Sequence, residues 1–205
     1  CDVEIEKLLK LITRDKPLPE TVSTPKSIRH HKPQIENMHT QMLQLFEGKD
    51  ITTLPGINDY TLLRIIAETG TDFKQWETEK HFTSWLGLAP IKNTTGKKVF
   101  RAKKKKVTRA GRIFTEICSS LLVSKNVPLG DFVRRLRGKK GPAVAIKAAA
   151  RKLAVMFYNF VTKGAEYVSK GLEQYKERVK QNKTKFLNRL ATELNVQIVD
   201  LQTQV

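Results

Sequence analysis

From Pro142 to about Thr162 the chain repeats apolar residues at helical spacing: Val144, Ala148, Leu153, Met156, Phe157 and Phe160. A face that long has to be covered by other segments, so this helix is the expected centre of a core. Pro142 suits its first turn, where a missing N–H removes no hydrogen bond. Asp2 to Ile12 shares the helical period through Val3, Ile5, Leu8, Leu9 and Ile12. Residues 35–48 share it through Ile35, Met38, Met42, Leu45 and Phe46, with Gly48 as the stop. Lys80 to Leu88 carries Phe82, Trp85, Leu86 and Leu88, and Ala89-Pro90 ends it. Val107 to Val123 turns Ile113, Ile117, Leu121 and Leu122 inward and Arg109 and Arg112 outward. Phe132 to Arg137 is a short amphipathic piece, broken by Gly138-Lys139-Lys140-Gly141-Pro142. From Tyr167 the residues Val168, Leu172, Tyr175, Val179, Phe186, Leu190 and Leu194 suit a coiled-coil-like helix, with Asn195–Val199 as an extended tail. No region alternates as strands do, so the expected fold class is mainly α. The expected organisation is a helix end at 1–12, a Pro-containing linker and helix at 13–50, a central domain at 51–165 and a C-terminal helix and tail at 166–205.

Residues 16–33 carry Pro17, Pro19, Pro25 and Pro33 without periodicity, which reads as a linker or an extended strap. His30-His31 lies there. Adjacent histidines share no helix face and have no acidic or Cys partner nearby, so an exposed or phosphate-touching pair is expected rather than a metal site. Apolar residues make up 40% of the 205, enough for a core, and no run approaches the roughly 20 uncharged apolar residues that span a bilayer. Cys1 and Cys118 make neither a disulfide framework nor a zinc cluster, which suggests a reducing compartment. The opening Cys1-Asp2-Val3-Glu4 has no initiator Met and no leader pattern, so a piece of a longer product is expected.

The net charge of +18 is not evenly spread. Residues 1–90 hold 11 basic and 13 acidic side chains, residues 91–165 hold 20 and 2, and residues 166–205 hold 7 and 5. The whole excess sits in the middle of the chain. A concentration of that kind is the footprint of a polyanion, most simply nucleic acid. Ile91 to Thr115 has ten basic residues and no acidic one. Candidate phosphate contacts here are Lys92, Lys97, Lys98, Arg101, Lys103, Lys104, Lys105, Lys106, Arg109 and Arg112. The alternative is a solvated charged loop, against which the ratio of cations to anions speaks. Arg134, Arg135, Arg137, Lys139 and Lys140 can line the same channel.

Ile51 to Tyr60 reads as a tight turn between two short helices. Pro55 fixes φ, Gly56 allows positive φ, and Asn58 tolerates the left-handed region. Such a turn aims N–H groups and a helix N-terminus outward, a seat for phosphate; the alternative is an ordinary helix connection. Trp76 and Trp85 are expected in the core, and Cys118, between Ile117 and Leu121, as a buried inert thiol. Ser119 and Ser120 have no nearby His or Asp. The four histidines (His30, His31, His39 and His81) lack an obvious Ser/Asp context, so a hydrolase triad is not expected. No phosphate-binding Gly-rich loop is present.

Several motifs stand in a fixed order. The Leu-Pro-Gly turn comes first, then Ser84-Trp85-Leu86-Gly87-Leu88-Ala89-Pro90 and a Thr-Gly-Lys-Lys turn. Arg109-Ala110-Gly111, Pro142-Ala143-Val144-Ala145-Ile146-Lys147 and Ala150-Arg151-Lys152-Leu153-Ala154 follow. Together these resemble the C-terminal half of the insertion-sequence transposases guided by a structured bridge RNA, the IS-one-ten family. The resemblance spans roughly residues 1–200 and is strongest at 51–165.

The resemblance implies a helix-hairpin-helix at Gly56 and Asn58, with Lys147 and Arg151 among the nucleic-acid contacts. It implies DNA and a guide RNA as partners, a homo-oligomer of the full-length protein, and a cytoplasmic, nucleoid-associated bacterial setting. It also implies an N-terminal ribonuclease-H-like domain, absent here, whose four acidic residues bind Mg²⁺; none has a counterpart in this chain, so no metal is expected on it. The family's serine nucleophile corresponds to Thr95, just before Gly96. Threonine also has a hydroxyl, but its methyl crowds the attack and the group still needs activation. Lys97, Lys98 and Arg101 can stabilise charge on the phosphate. Thr95 is therefore either a working nucleophile or the mark of a weakened site. The competing reading is a non-catalytic nucleic-acid-binding module or decayed remnant; a ribosomal-type RNA-binding protein would fit the charge but leave the ordered motifs unexplained.

Overall fold

The computed structural model of the chain describes residues 2–28, 33–90, 94–95, 98–99, 106–124 and 127–198. Among them are eight α-helices: α1 (Asp2–Thr13), α2 (Met38–Leu45), α3 (Asp59–Thr69), α4 (Glu79–Trp85), α5 (Arg109–Ser120), α6 (Pro128–Lys140), α7 (Pro142–Lys163) and α8 (Ala165–Leu194). A 3-10 turn occupies Ile51–Thr53, and two-residue strands β1 (Thr94–Thr95) and β2 (Lys98–Val99) pair antiparallel. The class is mainly α, as the periodicity indicates. The chain divides into two compact units, Cys1–Ala165 and Glu166–Val205.

Helix α7 is the centre of the first unit, and α4, α5 and α6 all pack on it. Its inward face is built by Ala145, Ala149, Leu153 and Phe157, four residues apart, with Ala150 and Ala154 beside them, all fully buried. Alanines let neighbouring helices approach closely at the start of α7, and the larger rings take over further along. Leu153, Phe157 and Phe160 are buried as expected, while at the start of α7 the buried face lies one residue on, at Ala145 and Ala149 instead of Val144 and Ala148. Val144, expected in the core, is 53% exposed. Around Phe157 lies a ring cluster. Phe82 sits 4.8 Å from Trp76, 5.7 Å from Tyr158 and 5.8 Å from Phe73, centre to centre. Phe157 lies 5.6 Å from Phe114. Tyr158 keeps its hydroxyl satisfied by donating to the Trp76 carbonyl at 2.6 Å. Trp76 is buried as expected; Trp85 is 37% exposed and only edges the cluster.

Three boundaries differ from the sequence reading, each for a local reason. Helix α6 begins earlier because Pro128 takes its first turn. It runs through Gly138 and ends at Gly141, whose φ of 83° α7 starts from. Helix α2 begins only at Met38, since Asn37 before it is left-handed at φ 51°. Helix α8, described by itself, is continuous over 30 residues with Phe186, Leu187 and Leu194 exposed; Asn195 leaves it at φ 55°. Among the described residues no helix is long and apolar enough to cross a membrane.

Phe82→Ala should lower unfolding free energy by about 3–5 kcal/mol through lost burial and a residual cavity. Val144→Ala should change it by less than about 0.5 kcal/mol, since the side chain meets solvent. Urea titrations of the two variants beside the parent check that the Phe82 ring lies in the core and the Val144 side chain outside it; a comparable loss from both would refute it.

Candidate nucleic-acid interface

The basic loop leaves and rejoins the core at one place. After α4 the chain turns at Gly87, with φ 72°, where an added Cβ would fall 2.5 Å from the Lys106 carbonyl oxygen. At Gly111 an added Cβ would collide with the Leu86 carbonyl. Two residues without side chains thus let the end of α4 lie against the start of α5. The Thr108 N–H donates to Leu86 O at 3.3 Å, and the Thr108 hydroxyl caps α5 by accepting from Gly111 N at 3.1 Å. Between these feet the chain forms the β1–β2 ladder, with Thr94 opposite Val99 and Thr95 opposite Lys98. The register leaves two residues to connect the strands. Thr95 and Lys98 are thus located by their backbone pairing, while Lys92, Lys97, Arg101, Lys103, Lys104 and Lys105 lie outside the described residues, as do His30 and His31.

At the foot of the loop Lys106, Arg109 and Arg112 are exposed. No acidic residue stands in the first turn of α5. Two arginines at the positive end of a helix dipole are unfavourable alone and favour an anion beside them. Arg109 meets Glu68 only at 3.9 Å, with its side chain 84% exposed. A second group, Arg135, Arg137, Lys139 and Lys140, is exposed along the C-terminal half of α6. Lys147 and Arg151 are half-buried on α7. Arg134 differs from these: its guanidinium donates to the carbonyls of Leu121, Leu122 and Ser124 and pairs with Asp131, which closes the end of α5 onto α6.

The turn at residues 54–58 has a type II hydrogen bond, from Ile57 N to Leu54 O at 3.3 Å. Pro55 and Gly56 occupy its centre, and Gly56 has φ 73°. A Cβ on Gly56 would lie 2.5 Å from Ile117 Cγ2, so glycine also lets the turn sit on α5. Asn58, expected to use the left-handed region, is extended at φ −123°. Its side chain accepts from Thr61 N at 2.9 Å, and Thr61 Oγ1 accepts from Asn58 N at 2.8 Å. This capping box leaves the Asp59 and Tyr60 N–H groups as the first-turn donors of α3 not taken by the box.

Behind the turn lies a polar chain that sequence spacing gave no hint of. Asp59 Oδ1 is 2.8 Å from His39 Nδ1, with the side chains 3% and 7% exposed. His39 Nε2 is 3.0 Å from Ser23 Oγ, which donates to Asp50 Oδ2 at 2.6 Å. The four residues come from the strap, α2, the 3-10 turn and α3, too far apart in sequence to be read as a set. In a nucleophilic Ser–His–Asp arrangement the hydroxyl proton runs to the histidine. Here the Ser23 hydroxyl donates to Asp50 instead. The chain ties segments together. Burial opposes the charge on Asp50, but hydrogen bonds from Ser23 and Thr52 and the neighbouring His39 outweigh it and hold its pKa below the usual value.

Lys26 of the strap donates to Leu54 O at 3.0 Å and to Ile57 O at 3.3 Å. Burial pulls its ammonium below the ordinary lysine pKa, while Asp50 and Asp59 pull the other way. Lys16 donates to Leu45 O at 2.9 Å. Residues 20–27 are otherwise exposed throughout. Among the described residues the strap is held through Lys16, Ser23 and Lys26, by hydrogen bonds worth about 0.5–1.5 kcal/mol each, against about 1–2 kcal/mol per residue ordered. Its prolines narrow that difference by restricting the unfolded chain as well. A hollow of about 520 Å³ is lined by Lys16, Lys49, Phe73 and Trp76 and by none of the cations of the loop foot, α6 or α7. Lys49 there already donates to Val161 O. Cys118 is fully buried on α5, and burial pushes its thiol pKa up to about 12.

Residues 48–133 match the family model described as "Transposase IS116/IS110/IS902 family". That stretch holds the turn, the basic loop, α5 and the start of α6, but neither the strap nor α7. The "Putative transposase y4pF/y4sB" of Sinorhizobium fredii (strain NBRC 101917 / NGR234) is 26% identical over 184 residues. The match covers 80% of this chain and 46% of that protein, so the chain spans about half its relative's length. No solved structure matches.

Two expectations follow from the buried groups. In a Cys1→Ser variant at pH 8, Cys118 should resist a thiol reagent until denaturant is added; rapid modification of the native chain would contradict its burial. Asp50 has a folded pKa below its unfolded one, so its stabilisation is complete above the unfolded value and is lost as pH falls through the folded one. Asp50→Asn should therefore lose less stability than the parent between pH 5 and pH 3, read from urea midpoints.

Proposed function

We propose that the chain carries a transposase domain of the kind its match to the IS116/IS110/IS902 family indicates, that it binds DNA, and that it supplies a hydroxyl nucleophile at Thr95 for strand exchange. The observation that carries this reading is the place of Thr95. It stands opposite Lys98 in a minimal antiparallel pair, within a basic loop whose two feet are fastened to the core at Gly87 and Gly111. Electrostatic attraction draws duplex phosphates to the loop lysines, Lys106, Arg109 and Arg112. The turn at Gly56 adds backbone N–H groups at the start of α3.

In the reaction Thr95 Oγ1 attacks phosphorus and forms a phosphothreonine ester. The bond from phosphorus to the leaving deoxyribose oxygen breaks. That oxygen takes up a proton, and the threonine proton passes to solvent. A second strand's hydroxyl reverses the link. Basic side chains around the phosphate offset the charge that develops on it. Mg²⁺ held by the N-terminal domain of the full-length protein would stabilise the attacking and leaving oxygens. The family's guide RNA and oligomer belong to the same proposal, for the full-length protein. The threonine itself favours a second reading: a module that binds nucleic acid with a weakened nucleophile.

Duplex binding by the chain should weaken about 10³–10⁵-fold between 50 and 200 mM salt if six to ten phosphates are contacted, measured by fluorescence anisotropy. Nicked substrates that trap a covalent intermediate separate the two readings in the full-length protein. Loss of the trapped species in Thr95→Val, where the parent forms it, identifies the nucleophile. A large gain in Thr95→Ser over a silent parent identifies a weakened site. Salt-independent binding would overturn both.

A further inference from the structure

We propose that Lys26 is a positioning residue for the turn at 54–58, a counter-cation that the strap delivers to two of the turn's carbonyls. The Leu54 and Ile57 carbonyls, the first and last of the four-residue turn, converge on its one ammonium. One cation thus fixes both ends of the turn from a segment 28 residues away in sequence. The Leu54 oxygen also receives the turn's own hydrogen bond from Ile57 N. Without Lys26 the turn keeps that bond but loses the group that bridges those two carbonyls.

Charge supports the same role. Asp50 caps the 3-10 turn that leads into Leu54, and Asp59, just past the turn, is the first residue of α3. Two carboxylates flanking an anion-binding turn would repel phosphate. Lys26 feels both of them, and His39 pairs with Asp59. The strap therefore supplies a positive charge that interacts with both carboxylates, while its Ser23 donates to Asp50. Lys26 acts through the turn and does not touch phosphate.

This inference rests on the reading of the turn as part of the DNA surface, so the test has two independent readouts. Native-state amide exchange on the free 205-residue chain, compared with Lys26→Met, reads the turn alone. Exchange at residues 56–59 is expected to rise several-fold. Unchanged exchange overturns the proposal whatever the DNA result. Anisotropy titrations with a labelled duplex at several salt concentrations read the second part. Affinity is expected to fall several-fold with the slope of log K against log salt unchanged. A slope reduced by about 1 would make Lys26 a direct phosphate contact and sink the positioning role. Raised exchange with unchanged affinity would remove the turn from the DNA surface. A parent chain that binds no duplex defeats the functional reading while the exchange data still decide about Lys26. Should Lys26→Met fail to fold, Ser23→Ala loosens the same strap one clip away. It is expected to raise exchange at 56–59 to a smaller degree, and no change there counts against the proposal.

Discussion

Phe82 touches rings contributed by the 70–78 connection, α5 and α7, and the burial of that cluster is what the first unit is built around. Helix α4 is only seven residues long, too short to be stable by itself. It persists because its inward ring is covered on several sides. Once α4 is fixed, so is the carbonyl of Leu86 just beyond it. Gly111 can then approach that carbonyl, which sets where α5 begins and where the basic loop must return. The cationic surface thus inherits its position from an apolar contact.

Much of this was legible in the sequence. Helix existence followed from period, and the start of α7 at Pro142 from backbone chemistry. The alanine face of α7 was not legible, because Ala145 and Ala149 carry little hydrophobic weight in a periodicity count. They matter only when a neighbouring helix comes close. Asn58 was read through its tolerance of positive φ, yet its stronger talent here is capping, and Thr61 three residues on was the signal. Pro128 was the missed sign of the α6 start.

The site divides along the same line. Charge density between residues 91 and 165 is a property of composition and could be read directly. The Ser23–His39–Asp50–Asp59 chain depends on four segments meeting, and no local pattern encodes that. Arg134 shows the converse. In sequence it is one more cation in a basic run. In space its donors close a helix end, so counting charges overstates how many face outward.

The glycine contact between the two feet of the loop separates the chain between them from the rest of the unit. Because the feet hold each other, the two ends of the intervening segment are already brought together. A change in its length should then alter closure entropy by only about 0.6 kcal/mol per doubling, so the backbone contact at Gly87 and Gly111 sets where the segment begins and ends whatever its length.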